Sequence, residues 1–396
     1  MTGATGFLGR RVCRRLEQNG STFTRTSFSL GTDLRDYDQT LALFQSVRPH
    51  TVVNCASFAG GIQFGLKYPA DVFRNNMLMI TNLFEAAHRV GVERFVNPLP
   101  NCVYPAQLTL FEESRFWDGP LHDSVMVYGL LRKISWAGSW AYAQQNRLQT
   151  INLVFSNMYG PEDHFDDERS HAIGALVKRF IEAKKSSAPK VTVWGTGTPV
   201  REWLFVDDGA EAMMRAIDCA PCVEPINVGV GKGLSVAELA NRISTIVDYH
   251  GQIAYDMSKP DGASYKTVDG SRGKAMLAWS PQVGLDEGLR KTVEWYLENH
   301  GCQQACMKKL QLYFDAKHAD GSIAVELPDG IRHAVNLLIT KLGRRRQPQA
   351  FFADELGDRI GPRALIGLLP VDWRIHGSGA DPSFLEVVLQ LIAPFA

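Results

Sequence analysis

The chain opens Met1-Thr2-Gly3-Ala4-Thr5-Gly6-Phe7-Leu8-Gly9, with three glycines at three-residue spacing that run directly into Arg10–Leu16. Leu8, Val12 and Leu16 recur on one face of a helix there. A strand that turns through such glycines into a helix brings bare backbone N–H groups against an anion. The positive end of the helix dipole favours the same charge. Gly3, Gly6, Phe7, Leu8 and Gly9 are therefore candidate contacts to a dinucleotide pyrophosphate. Tight turns use glycine for other reasons too, so the rest of the chain must decide. A turn of this kind succeeds a buried apolar strand inside a parallel sheet. Only Met1 and Thr2 precede it. That predicts either a start upstream of Met1 or a sheet lacking most of one central strand.

The 396 residues suffice for two or three domains. Lys plus Arg and Asp plus Glu number 42 each, so no basic field marks a nucleic-acid or membrane-surface binder. No apolar run reaches the ~18 residues of a membrane span, and no signal-peptide core opens the chain. The seven cysteines are scattered and odd in number, which fits a reducing, cytoplasmic setting. Cys219-Ala220-Pro221-Cys222 has a redox spacing but no preceding strand, and reads as two thiols in a loop. No metal is expected.

Thr22–Ser27 reads as a second strand. Near its end Arg25 is either a cation for the 2′-phosphate of a dinucleotide or an exposed arginine without that role. Asp33 and Leu34 then lead into a helix from Gln39 to Val47, and a carboxylate there either caps it or reaches an adenine amino group. Thr51–Ala56 has the pattern of a buried strand, Pro69–Val90 of a long amphipathic helix, and Arg94 begins the next strand. Tyr128–Asn146 is helical, with Ile134, Trp136, Trp140 and Tyr142 either in the core or on a face that pairs with a second copy. Further strands are expected at Thr150–Phe155, Lys190–Trp194 and Pro225–Val230, and helices at Gly174–Lys184, Ser235–Val247 and Leu285–Asn299. This alternation predicts an α/β fold, a doubly wound parallel sheet. We expect a Rossmann domain over 1–160, completed by about 200–230, a smaller α/β substrate domain over 161–300, and an unassigned extension over 301–396 whose Arg344–Arg346 reads as a solvated patch.

The motifs then become specific. They are Gly60-Gly61-Ile62 with Tyr68-Pro69-Ala70-Asp71, Asn101-Cys102-Val103-Tyr104-Pro105, Ser156-Asn157-Met158-Tyr159-Gly160-Pro161, Ser170-His171, Val193–Glu202, and Lys259-Pro260-Asp261-Gly262. In this order the chain resembles the extended short-chain dehydrogenase/reductase superfamily over roughly residues 2 to 300. Within that superfamily it resembles the GDP-L-fucose synthase family, epimerase–reductases of GDP-4-keto-6-deoxy-D-mannose. The resemblance implies NADP(H) as cofactor, a GDP-sugar substrate and a homodimer.

It also implies roles. A C4 ketone acidifies the protons on C3 and C5, and the family's proton-transferring cysteine and histidine fall on Cys102 and His171. Both side chains titrate close enough to neutrality to be tuned for proton exchange. The superfamily's reducing tyrosine falls on Tyr128, Asn157 would line the nicotinamide, and Asn76 matches an asparagine that holds the catalytic strand. Arg179, Trp194, Arg201 and Lys266 would hold the GDP moiety, arginines suiting a pyrophosphate by bidentate charge.

Two positions depart from the pattern. The lysine four residues after the tyrosine is Arg132, with Lys133 one residue later. One helical residue is a ~100° turn, so Lys133 does not simply substitute. Arg132 retains a positive charge that stabilises a phenolate but differs from an ammonium in shape. The catalytic serine position is Pro100, which has no hydroxyl. Together these predict weakened hydride transfer. A non-catalytic nucleotide-sugar and NADP-binding homologue, or a related sugar-nucleotide epimerase/reductase, are the alternative readings.

Overall fold

Apolar, β-branched runs at 51–53, 94–100, 149–155 and 222–228 are buried along most of their length, as strands covered by helices on both faces must be. The structure is a computed structural model that describes residues 1–259, 261 and 264–300, of which Met1–Tyr296 form one compact unit. The expected extension over 301–396, with its Arg344–Arg346, lies outside the described residues, as do Pro260 and Gly262.

In chain order, helices α1 (Phe7–Gln18) and α2 (Tyr37–Val47) precede strand β1 (Thr51–Val53). Helices α3 (Ile62–Lys67) and α4 (Pro69–Val90) lead to β2 (Arg94–Pro100), then β3 (Leu110–Phe111), α5 (Met126–Asn146), β4 (Gln149–Phe155) and β5 (Asn157–Tyr159). Next come α6 (Ala172–Lys185), β6 (Lys190–Trp194), β7 (Val200–Phe205), α7 (Val206–Asp218), β8 (Cys222–Val228), β9 (Gly233–Ser235), α8 (Val236–Val247), β10 (Gln252–Asp256), β11 (Tyr265–Val268) and α9 (Ser271–Met276). Residues 285–300 are helical again.

Strands β1, β2, β4 and β8 lie side by side in that order, all parallel. Helices α1 and α7 cover one face through Leu8, Val12, Leu16, Ala210 and Met213. Helices α2, α4 and α5 cover the other through Phe44, Ile80, Leu83, Phe84 and Leu131. The sheet is doubly wound, as expected. A second core gathers α6, α8 and the helix after 285 around Phe180, Leu239, Ile243 and Leu289. Ser235 starts α8 with a capping box to Glu238. Beside it β5, β7, β11 and β3 pair in parallel, β9 pairs antiparallel with β7, and β10 pairs with β6.

Thr22–Ser27 is a correction. It forms no regular ladder. Its neighbour in the sheet is the two-residue piece Met1–Thr2, which bridges to Asn54 beyond β1. The Thr26 N–H donates to the Met1 carbonyl (2.9 Å), the Met1 amino group to the Thr24 carbonyl (2.9 Å), and the Ala4 N–H to the Thr26 carbonyl (3.0 Å). A strand needs a partner of comparable length.

Strand β2 carries Pro98 and Pro100 although it lies between two strands. Strand β1 pairs only with Arg94–Val96, so both prolines sit where one flank has no strand to receive an N–H. The Cys219–Cys222 stretch spans the end of α7 and the start of β8, and the Cys222 sulfur lies 3.1 Å from Arg272 Nη2. No helix among the described residues is long and apolar enough to cross a membrane.

Candidate active site

The glycine turn is built by close approach. Gly3 has φ 62°, and a Cβ there would lie 2.4 Å from the Cys55 carbonyl carbon. A Cβ on Gly9 would lie 2.0 Å from the Gly3 carbonyl oxygen, so α1 starts hard against the turn. Gly6 is the N-cap of α1, with no side-chain cap and no acidic residue in the first turn. The amides at the helix start thus face no side-chain acceptor, which fits a pyrophosphate. Around the turn, the expected charged contacts already have protein partners. Arg25 pairs with Glu17 and lies 5.6 Å over the Phe23 ring. The Asp33 carboxylate accepts from Arg35 Nε at 2.8 Å and Nη2 at 2.7 Å, which holds it below its ordinary range. Leu34 is buried against α2 and α4, while the helix cap is supplied by Asp36, which accepts from the Gln39 amide at 3.0 Å. Sequence reasoning passed over the hydroxyls of Thr5, Ser27 and Ser29, which gather within 2.8–3.1 Å of one another beside the turn.

The residues expected to serve reduction meet at the start of α5. Tyr128 Oη lies 3.1 Å from Ser57 Oγ. Arg132, 3% exposed, donates from Nη2 to that same Ser57 Oγ and to Asn76 Oδ1 at 3.0 Å, and its guanidinium stands 5.0 Å over the Tyr128 ring. Asn76 is held in turn by donating to the Phe58 and Val72 carbonyls, both at 2.8 Å. Arg132 Nε is buried with no hydrogen-bond partner among the described residues. Lys133 turns the other way. Its ammonium donates to the Phe116 carbonyl and stands 4.3 Å over the Trp117 ring, and burial lowers its pKa. Ser57 is the residue that sequence reasoning missed. Its signal was one small hydroxyl residue in the loop after β1.

Cys102 lies in the 3₁₀ turn Asn101–Val103 that comes after Pro100. A Cβ on Gly129 would lie 2.6 Å from the Cys102 carbonyl oxygen, so the turn carrying the thiol packs directly on the helix residue next to Tyr128. Burial pushes the thiol up to about 11, against the opposing charges of Lys266 and Arg132. His171 is the N-cap residue of α6, does not cap it with its side chain, and keeps an open face. The protein around it still lowers its pKa. The Gly61 amide donates to the Arg169 carbonyl at 3.0 Å, which docks the glycine loop 60–61 on the loop that leads to His171.

On the other side, Arg179 of α6 stands 4.9 Å over the Trp194 ring and Lys259 stands 5.6 Å from it. Arg201 and Lys266 are register partners on β7 and β11, and burial lowers the pKa of both. Arg201 Nη1 donates to the Val200 carbonyl at 2.7 Å. Asp261 accepts from Thr196 N and Thr196 Oγ1, each at 2.7 Å, so two sequence motifs far apart in the chain meet at one turn. Asn157 Nδ2 donates to the Glu202 carbonyl at 3.0 Å. The structure brings Tyr128, Arg132 and Cys102 together, and separately Arg179 with Trp194 and Arg201 with Lys266.

Glu162, a left-handed residue (φ 68°) in the loop before His171, ties that loop to α1. Its carboxylate meets Arg11 at 3.2 Å and Arg14 at 2.7 Å, with Arg10 at 3.7 Å, all on α1.

A parallel, doubly wound sheet with this glycine turn, and a tyrosine, guanidinium and thiol at its rim, define a nucleotide-dependent epimerase or dehydratase. The NAD dependent epimerase/dehydratase family matches residues 1–229, and the chain is a member of it. It is 34% identical over 311 residues to the GDP-L-fucose synthase of Escherichia coli K12, which covers 76% of this chain and 96% of that protein. It is 33% identical over 300 residues to GDP-L-fucose synthase 1 of Arabidopsis thaliana, covering 76% of this chain and 93% of that protein. Within the larger family, the chain belongs to the GDP-L-fucose synthases. A crystal structure of a GDP-L-fucose synthetase from Naegleria fowleri bound to NADP shares the fold, with TM-score 0.69 and 24% identity over 76% of this chain and 94% of that one.

Proposed function

We propose that the chain is an NADPH-dependent 3,5-epimerase and 4-reductase that converts GDP-4-keto-6-deoxy-D-mannose to GDP-L-fucose. One observation supports this beyond family membership: the packing of Gly129 on the Cys102 carbonyl, which holds the turn that carries the thiol against the helix residue next to Tyr128. At neutral pH the raised Cys102 keeps its proton and the lowered His171 is free to take one. Removing a proton next to a ketone and returning one from the opposite face calls for such a pair. Tyr128 is the acid for the C4 oxygen, with Arg132 behind it. The glycine turn binds the pyrophosphate, and Asn157 lies by the nicotinamide. When bound, NADPH supplies the hydride to C4. Arg179, Trp194, Arg201 and Lys266 hold the GDP moiety, in a substrate domain over 161–300 distinct from the NADP-binding domain over 1–160. Exposed Phe73 on α4 with Met126, Leu130 and Trp140 on α5 form the face for a homodimer. The scattered cysteines support a cytoplasmic location.

The test is to incubate purified protein with NADPH and the keto sugar and to follow cofactor oxidation and product identity. Turnover to GDP-L-fucose bears the proposal out. Binding of both ligands without turnover identifies a binding homologue, the reading that Pro100 favours, and a different sugar product identifies a related epimerase/reductase.

A further inference from the structure

We infer that Ser57 is a positioning residue for reduction, carrying the charge of Arg132 to the Tyr128 oxygen and offsetting the missing hydroxyl at Pro100. The inference rests on the reductase reading above. Arginine has donors and no acceptor, so in its contact with Arg132 the Ser57 oxygen must accept. The hydrogen of Ser57 is then free for its other neighbours. These are Tyr128 Oη at 3.1 Å and Asn76 Oδ1 at 3.5 Å, the latter already occupied by Arg132 and by the Phe58 amide at 3.1 Å. When Tyr128 gives its proton to the substrate oxygen it becomes acceptor-only, and Ser57 is the donor in reach. A hydroxyl polarised by a buried guanidinium is a stronger donor than a free one.

The arrangement also accounts for arginine at position 132. A fork with several N–H groups supplies Ser57 and Asn76 together and still spans the Tyr128 ring. An ammonium is a single point charge. Electrons and protons balance without any further reactant. The hydride and its electron pair go from NADPH to C4, the proton goes from Tyr128 to the C4 oxygen, and Ser57 stabilises the resulting phenolate by hydrogen bonding until solvent reprotonates it.

The test compares wild type, Ser57→Ala and Ser57→Thr. It measures single-turnover hydride transfer, KM for both ligands, deuterium wash-in from solvent at C3 and C5, and NADPH affinity by fluorescence. Ser57→Ala is expected to slow hydride transfer about 10- to 100-fold, the effect of one hydrogen bond to a charged group. KM, wash-in and NADPH affinity should stay within about twofold, as for a surface change away from the binding contacts. Ser57→Thr, which keeps the hydroxyl, is expected to restore most of the rate. Arg132→Lys should cost markedly less in the Ser57→Ala background than alone, because the two residues act through one contact. A Ser57→Ala variant that reduces at the wild-type rate overturns the inference. So does one that loses wash-in and NADPH affinity in step with hydride transfer. A wild type that binds both ligands and turns over neither step overturns the reductase reading itself, and this inference with it.

Discussion

Arg132 and Lys133 are adjacent in sequence and serve opposite sides of α5: Arg132 donates to Ser57 and Asn76, whereas Lys133 donates to the Phe116 carbonyl beneath Trp117. The rotation of a helix by one residue decides which cation belongs to Tyr128.

Restoring the family residues, Pro100→Ser with Arg132→Lys, is expected from sequence alone to speed reduction. The contacts of Arg132 with Ser57 and Asn76 argue the opposite for lysine by itself. Arg132→Lys keeps one charge and loses the fork, so single-turnover hydride transfer should fall about tenfold, the size of one charge-assisted hydrogen bond. Lys133→Met, which trades a buried amine for a side chain of similar volume, should leave hydride transfer within about twofold. Stopped-flow oxidation of NADPH separates the two variants.

Gly129 lets α5 press on the Cys102 turn. A methyl group there would lie 2.6 Å from the Cys102 carbonyl oxygen, so the turn or the helix must shift. Gly129→Ala is expected to destabilise by about 1–3 kcal/mol, as overpacking does. Deuterium wash-in should fall more than the melting temperature alone would imply, because the thiol moves with its turn. Differential scanning calorimetry and proton NMR of the exchanged sugar measure the two effects.

Asp163 gives a pH dependence with a definite sign. Burial pushes its carboxyl up to about 7, from an ordinary 3.8 in the unfolded chain. Between those values the folded protein holds a proton that the unfolded chain has lost, so this group makes stability fall as pH rises, and the penalty is complete above about pH 7. Asp163→Asn should therefore raise the melting temperature at pH 8 relative to wild type, and the gain should shrink toward pH 4. A gain of equal size at both pH values would refute the assignment.

Trp194 is 44% exposed between Arg179 and Lys259, an aromatic face framed by cations. Trp194→Ala should weaken GDP binding about tenfold, within the range of a stacking contact, while NADPH affinity stays unchanged. Isothermal titration with each nucleotide checks the separation.

The sheet and its helices were legible because their signals are local. The period of Leu8, Val12 and Leu16 and the apolar runs at 149–155 and 190–194 need no knowledge of what lies opposite. Thr22–Ser27 misled for a related reason: its residues favour a strand, but its neighbour in the sheet is only Met1–Thr2. Cys102, Tyr128 and Arg132 were reached through motifs. Ser57 was not, since it stands 71 residues from Tyr128 and acquires meaning only when α5 is laid over the loop after β1. Glu162 was equally silent. A glutamate in a loop says nothing until the arginines of α1 surround it.

The grip of those arginines on Glu162 has a mechanical meaning. Left-handed backbone at a residue with a Cβ is unfavourable by about 1–2 kcal/mol, and Glu162 keeps it under the pull of Arg11 and Arg14, both within 3.2 Å. Glu162 is thus a bolt between the helix that follows the glycine turn and the loop that leads to His171. Any motion of that loop away from α1 must break the pair with Arg11, where both side chains are mostly shielded from water, as well as the more exposed pair with Arg14. On the roles proposed above, the loop that leads to the histidine is thereby anchored to the helix of the glycine turn.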